Sequence, residues 1–271
     1  MVSWGLAWTN AKIVGGYLSF YNLVFFRFLL GFLSLLPLII INKKPLPKVN
    51  DLKYILIPSL LLFMYNIAFF KGTYYGLAGK GAVLVTTLNP LFTVIIMAFI
   101  KNQILKSELI GVLMGVVGGF IIMNLYNEGV GSILNPNNIY FLICALTWGV
   151  LTVTVSHAQK IIEPYMFIGS CYLFTMFMSI PFINLAEINI STLDFRFCLN
   201  FFFVSMGAMS FGTSIYIYST PILGPAKVSV FIFSVPFIAM GTAYLVLNEP
   251  FTINIVIGGL LSLLSIYIVN K

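Results

Sequence analysis

Charge is what this chain has least of. Only 8% of its 271 residues are Asp, Glu, Lys or Arg, while 60% are hydrophobic. Soluble globular domains carry about 25% charged residues. A chain with so few cannot cover its surface with polar groups, so an ordinary water-soluble fold is excluded. Acids are scarcer still. All seven, Asp51, Glu108, Glu128, Glu163, Glu187, Asp194 and Glu249, fall in connections or at segment ends. Proton- and sodium-coupled carriers usually place an acid or a carbonyl cage inside the membrane, so the reading leans to a facilitator, or to coupling not carried by side chains. The lone histidine, His157, lies near the end of an apolar segment. Without a nucleophile–base pair or paired acids at depth, an intramembrane enzyme is the weaker alternative. A channel needs a polar stripe or a charged ring, and no segment shows one. The three cysteines, Cys144, Cys171 and Cys198, have no C-x-x-C spacing. That argues against a disulfide framework or a metal site, and no cofactor is expected. No cleavable signal peptide pattern is visible.

What is there is length and apolarity. Ten apolar segments run roughly 1–14, 20–41, 54–70, 81–100, 108–124, 138–156, 164–185, 197–218, 226–247 and 251–269. About 20 apolar residues cross a bilayer as a helix, so the expected fold class is an all-α polytopic membrane protein with about ten transmembrane helices. The first is short, since about 14 residues rise only about 21 Å. Relative to its later counterpart it lacks roughly seven residues by the alignment of tryptophans given below, so either the start lies upstream or the chain begins within the membrane.

The net charge of +7 reads as topology and not as affinity for nucleic acid. Lys43, Lys44, Lys48, Lys53, Lys101, Lys106, Lys160, Lys227 and Lys271 share one side if the N-terminus is cytoplasmic. Lys12, Lys71, Lys80 and Arg196 take the other, and nine against four obeys the positive-inside rule. Both termini are then cytoplasmic, in the plasma (cell inner) membrane, with the lipid bilayer as the surrounding partner.

The order of rare residues repeats. Trp4-Gly5 matches Trp148-Gly149, Pro90 matches Pro236, and Gly111 matches Gly258, at offsets of 144, 146 and 147. A nearly constant offset across half a chain marks an internal duplication. The halves are expected at 1–124 and 138–271, joined by a connecting loop at 125–137. Five helices per half is an odd number, so the second repeat enters the membrane inverted and the binding site falls between the repeats.

Further landmarks coincide with this frame. Phe26-Arg27-Phe28-Leu29-Leu30 stands in segment two, a proline sits in mid-segment in four and nine, Glu249 follows Pro236 by thirteen residues, and a glycine-rich helix closes each half. In this order and spacing the whole chain resembles the drug/metabolite transporter superfamily, specifically proteins with two EamA domains. The resemblance implies a ten-helix secondary transporter with a central cavity and a small-molecule substrate, exporting or importing amino acids, related metabolites or drugs by alternating access. Two features depart from the pattern: Gln103 stands where the first half would match Glu249, and the first helix is short.

Arg27 is the most pointed residue, about 12 Å into segment two. A charge at that depth costs several kcal/mol unless it faces a cavity or a partner. Either it holds an anionic group such as a substrate carboxylate, or it binds backbone carbonyls or snorkels to the rim. Trp4, Trp8, Asn10, Tyr65, Asn66, Trp148, Thr152 and Tyr216 are the other candidates for the cavity lining, suited to a flat or amphipathic solute. Tyr74, Tyr75 and Tyr218 fit the interfacial belt instead. Pro90 and Pro236 each remove a donor and strain the carbonyl four residues earlier, as a hinge near the site or as a packing kink. Gly111, Gly115 and Gly119 form a GxxxGxxxG face, with Gly258 and Ser262 as a weaker one. Small residues let helix backbones approach, within a monomer or across a homodimer.

Overall fold

A backbone inside hydrocarbon must satisfy its own polar groups, and a helix does so within one segment. The computed structural model describes residues 1–42, 45–101, 105–129, 131 and 138–270, and among these there is no strand. The first half holds α1 (Val2–Val14), α2 (Phe20–Asn42), α3 (Leu52–Tyr75), α4 (Ala78–Lys101), α5 (Lys106–Ile122) and the one-turn α6 (Leu125–Glu128). The second holds α7 (Ile139–Ala158), α8 (Pro164–Ser179), α9 (Phe195–Phe202), α10 (Ser214–Leu223), α11 (Pro225–Val230), α12 (Val235–Leu247) and α13 (Ile253–Asn270). Residues Phe203–Thr213 wind as a π-helix and join α9 to α10 in one rod. A 3-10 turn at Phe231–Ser234 joins α11 to α12 in another.

Ten rods therefore stand where ten apolar segments are expected. Among the described residues, seven are long and apolar enough to cross a membrane by length and composition, and α13 is a shorter apolar helix. The 13 residues of α1 and the 17 of α5 make shorter rods still. Their ends follow local chemistry. Glu163 accepts the Met166 N–H at 3.1 Å with Pro164 next in the chain, so α8 starts capped. Asp194 does the same for α9 through the Phe197 N–H at 2.8 Å. Gly224, at φ +85, makes the reversal from α10 into α11 that a Cβ would strain.

The packing returns every major contact with the halves exchanged. The helix α3 packs on α7 as α9 and the π stretch pack on α1, and α4 meets α7 as α12 meets α1. Likewise α3 lies against α8 as the π stretch lies against α2. The pairs α5–α13, α4–α12 and α2–α8 each join a helix to its own counterpart. This is the pattern of two inverted repeats about a pseudo-two-fold axis, and it brings α1, α2, α3, α4, α7 and the two broken rods around the centre.

The glycine faces are used inside the chain. A Cβ on Gly111 would strike Val269, one on Gly115 the Phe233 ring, one on Gly119 Thr87, and one on Gly258 the carbonyl of Gly118. The GxxxGxxxG face thus seats α13, α4 and the 3-10 turn of the same chain. Gln103, Lys43, Lys44, Lys271 and residues 130 and 132–137 of the expected connecting loop lie outside the described residues.

Candidate functional site

A cavity of about 40 Å³ lies at the centre, lined chiefly by Trp4, Trp8, Arg27, Tyr65, Phe69, Thr86, Asn89, Trp148, Thr213 and Val235. One ordered water needs roughly 10–15 Å³ on this measure. The cavity thus has space for a few waters and is too small for a metabolite. Side chains must move to admit one.

Arg27 brings the charge. Its side chain is 5% exposed. Nη1 donates to Asn66 Oδ1 at 2.7 Å, and the guanidinium lies 5.3 Å from the Phe69 ring centroid and 5.6 Å from that of Phe70. Asn66 is itself fixed, because its Nδ2 donates to the Leu62 carbonyl at 2.8 Å, which turns the amide oxygen toward the arginine. Aromatic faces attract the cation but do not neutralise it. The seven acids stand at helix ends and connections, as their positions predict. Arg27 Nε and Asn89 Oδ1 are buried without a hydrogen-bond partner. Buried polar atoms are seldom left unpaired, and here both belong to residues lining one cavity.

The aromatic walls interlock. Trp4 and Trp148, whose Trp-Gly pairs mark the duplication, meet edge to face with ring centroids 5.0 Å apart. Tyr65 lies 4.7 Å from Trp148, and Trp8 meets Phe69 at 4.8 Å. Trp4 Nε1 donates to the Ala208 carbonyl at 2.9 Å, in the π stretch. π-helical turns occur frequently at functional sites, and this one supplies Ala208 and Thr213 to the lining.

Of the residues expected around the cavity, Trp4, Trp8, Arg27, Tyr65 and Trp148 line it. Four are placed otherwise. Asn66 stands behind Arg27 as its hydrogen-bond partner. Thr152 and Tyr216 share a bond of 2.9 Å, with the Tyr216 ring packed on Trp4 and Trp148 from behind. Asn10 is buried in α1 away from the lining, because it does not share the face of Trp4 and Trp8. Pro90 lies within α4, and Pro236 opens α12 after the 3-10 turn. Neither proline lines the cavity, yet the residue before each, Asn89 and Val235, does. Asn89 and Thr86 line the cavity without being among the residues expected there, although an amide deep in an apolar helix is itself a signal. No group of His, Cys, Asp or Glu that could hold a metal occurs among the described residues.

Comparison with known proteins bears on this arrangement. The family described as the EamA-like transporter family matches twice, over residues 1–124 and 136–271. A protein of Archaeoglobus fulgidus named as an uncharacterized transporter is 25% identical over 99% of this chain and 95% of its own length. A solved crystal structure at 16% identity superposes with a TM-score of 0.73, covering 98% of this chain and 93% of that one, which is a likeness of fold alone.

Proposed function

The chain belongs to the EamA-like transporter family and is a membrane transporter, and from that premise we propose that it carries small organic metabolites bearing an anionic group, amino acids or related solutes, by alternating access through the central cavity. The carrying observation is Arg27, a buried guanidinium with an unpartnered Nε on the cavity wall. Placing an arginine at the centre of a membrane helix costs about 3 kcal/mol on insertion scales. A substrate carboxylate would offset that by giving the cation a counter-ion and Nε an acceptor, since charge-assisted guanidinium–carboxylate bonds are among the strong ones. Asn89 Oδ1 offers a free acceptor to an N–H or O–H of the same solute. The aromatic walls supply apolar contact and stacking.

The contracted cavity fits a carrier between openings. Its walls come from both repeats, so a rocking of one against the other would open it to each side in turn. Hinging near Pro90 and Pro236 belongs to this reading, as do the repeat boundaries at 1–124 and 138–271 and a cytoplasmic placement of both termini in the plasma membrane. The test is uptake into proteoliposomes by Arg27→Ala, with insertion checked independently. Loss of transport of anionic or zwitterionic solutes is expected, and undiminished flux removes Arg27 from the site.

A further inference from the structure

One turn of the molecule is clamped from two directions by opposite charges. The chain leaves α3 at Gly76 and enters α4 at Ala78. Lys12, from the end of α1, donates from Nζ to the Gly76 carbonyl at 2.7 Å. Glu249, from the connection between α12 and α13, accepts the Ala78 N–H at 3.1 Å on one oxygen and the Gly79 N–H at 3.0 Å on the other. The cation thus sits on the carbonyl of the residue that follows α3, and the carboxylate on the first N–H groups of α4, at the end of the helix dipole that favours it. Asn248, at φ 56 in the left-handed region, turns the chain so that Glu249 can reach inward. Glu249 is only 7% exposed.

Beneath the turn is a plug. The Phe141 ring, from α7 in the other repeat, is fully buried. It occupies a notch where Gly72, Gly76 and Gly81 have no Cβ, since one built on each would stand 2.5, 2.9 and 2.2 Å from the ring. Trp8 follows, its ring 6.0 Å from Phe141, and Trp8 lines the cavity. From the surface inward the order is the clamped turn, Phe141, Trp8 and the cavity. The counterpart turn joins α10 to α11 at Gly224. Among the described residues nothing stands within 4 Å of where a Cβ on Gly224 would be.

We propose that the α3–α4 turn is a latch on one mouth of the carrier, with Lys12 and Glu249 holding it over Phe141, and that this mouth opens when both sets of bonds break. The proposal rests on the alternating-access reading but not on the identity of the substrate. Glu249 joins the second repeat to the first, so its release frees the repeats to move apart at this end, whereas Lys12 ties only elements of the first repeat. Glu249 is therefore the stronger half of the latch.

The experiment reads access to the cavity without any solute. Thr86→Cys, on the cavity wall, is placed in a chain carrying Cys144→Ala, Cys171→Ala and Cys198→Ser, and is labelled with a membrane-impermeant maleimide from each side of the membrane in turn. Hydrogen bonds to charged groups carry enough energy that Glu249→Gln should raise labelling from the Glu249 side roughly tenfold and lower it from the opposite side. Lys12→Met should give the same shift at roughly threefold, and Lys12→Arg should match the parent. Unchanged labelling in Glu249→Gln overturns the latch. A rise from both sides also overturns it, because it assigns Glu249 to holding the fold together. Failure of the anion reading would leave these rates as they are, and failure of the latch would leave the Arg27 flux result as it is.

Discussion

The two repeats solve the same geometric task with different chemistry. In the first, the second helix sends Arg27 to the third helix, where the regular α3 receives it through the Asn66 side chain. In the second, the position 145 residues on is Tyr172, and its hydroxyl reaches the π stretch, donating to the Met209 carbonyl at 3.0 Å and sharing a bond with Ser214 at 3.1 Å. A backbone carbonyl in the π stretch also serves Trp4, whose Nε1 donates to Ala208. The first repeat thus leaves Arg27 Nε and Asn89 Oδ1 without a partner on the cavity wall, while Tyr172, the counterpart of Arg27 in the second, is bonded within the protein. Symmetry of fold does not carry symmetry of role. The first repeat contributes Arg27 and Asn89, the groups best able to recognise a solute, while the second contributes Trp148 and the irregular backbone around it.

Substitutions can break or sharpen that contrast. The largest effect is expected at Arg27. Arg27→Met should lower uptake of anionic solutes by about 100-fold, since a buried charged hydrogen bond lost to the partner costs about 3 kcal/mol. Its melting temperature in detergent should hold or rise, because replacing an incompletely paired buried charge by an apolar side chain is often neutral or stabilising. A collapse in stability together with flux would make Arg27 a structural residue. Asn89→Leu should raise KM about tenfold, equivalent to about 1.4 kcal/mol, with little change in folding; an unaltered KM would place Asn89 outside the contact set. The counterpart in the second repeat should respond the other way. Tyr172→Phe should cost about 1–3 kcal/mol of stability through two lost buried bonds and leave the substrate KM unchanged, as thermal unfolding and initial uptake rates would show. The smallest effect concerns coupling. Imposing a proton gradient should not alter flux, given that all seven acids stand at helix ends or in connections, and strong stimulation by acid on one side would reverse that reading.

Much of this arrangement is legible in the amino-acid sequence. Apolar runs fixed the ten rods to within a few residues, because hydrocarbon leaves the backbone little choice but helix. The two Trp-Gly pairs announced that Trp4 and Trp148 belong at matching depths, and they meet at 5.0 Å. Arg27 and Asn66 were picked out as polar residues in apolar surroundings, but that they bond each other required knowing how α2 lies on α3. The π winding at Phe203–Thr213 has no residue signature comparable to proline, so segment eight reads as an ordinary helix. Asn10 illustrates the limit of helix periodicity: depth along the axis was readable, while the direction it faces depended on which neighbours α1 meets. Glu249 was visible as a landmark of the second half, yet its partners, the N–H groups of Ala78 and Gly79, lie 171 and 170 residues away in sequence.

The claim at the centre is that Arg27 recognises a negative group on the transported solute. Paired uptake of a carboxylate and its neutral carboxamide analogue, in proteoliposomes of the parent chain and of Arg27→Met, tests it most directly. The account predicts that the parent takes up the carboxylate in strong preference, and that Arg27→Met loses this preference through a fall in carboxylate uptake alone. Equal uptake of the two solutes by the parent, or an undiminished preference in Arg27→Met, would contradict it.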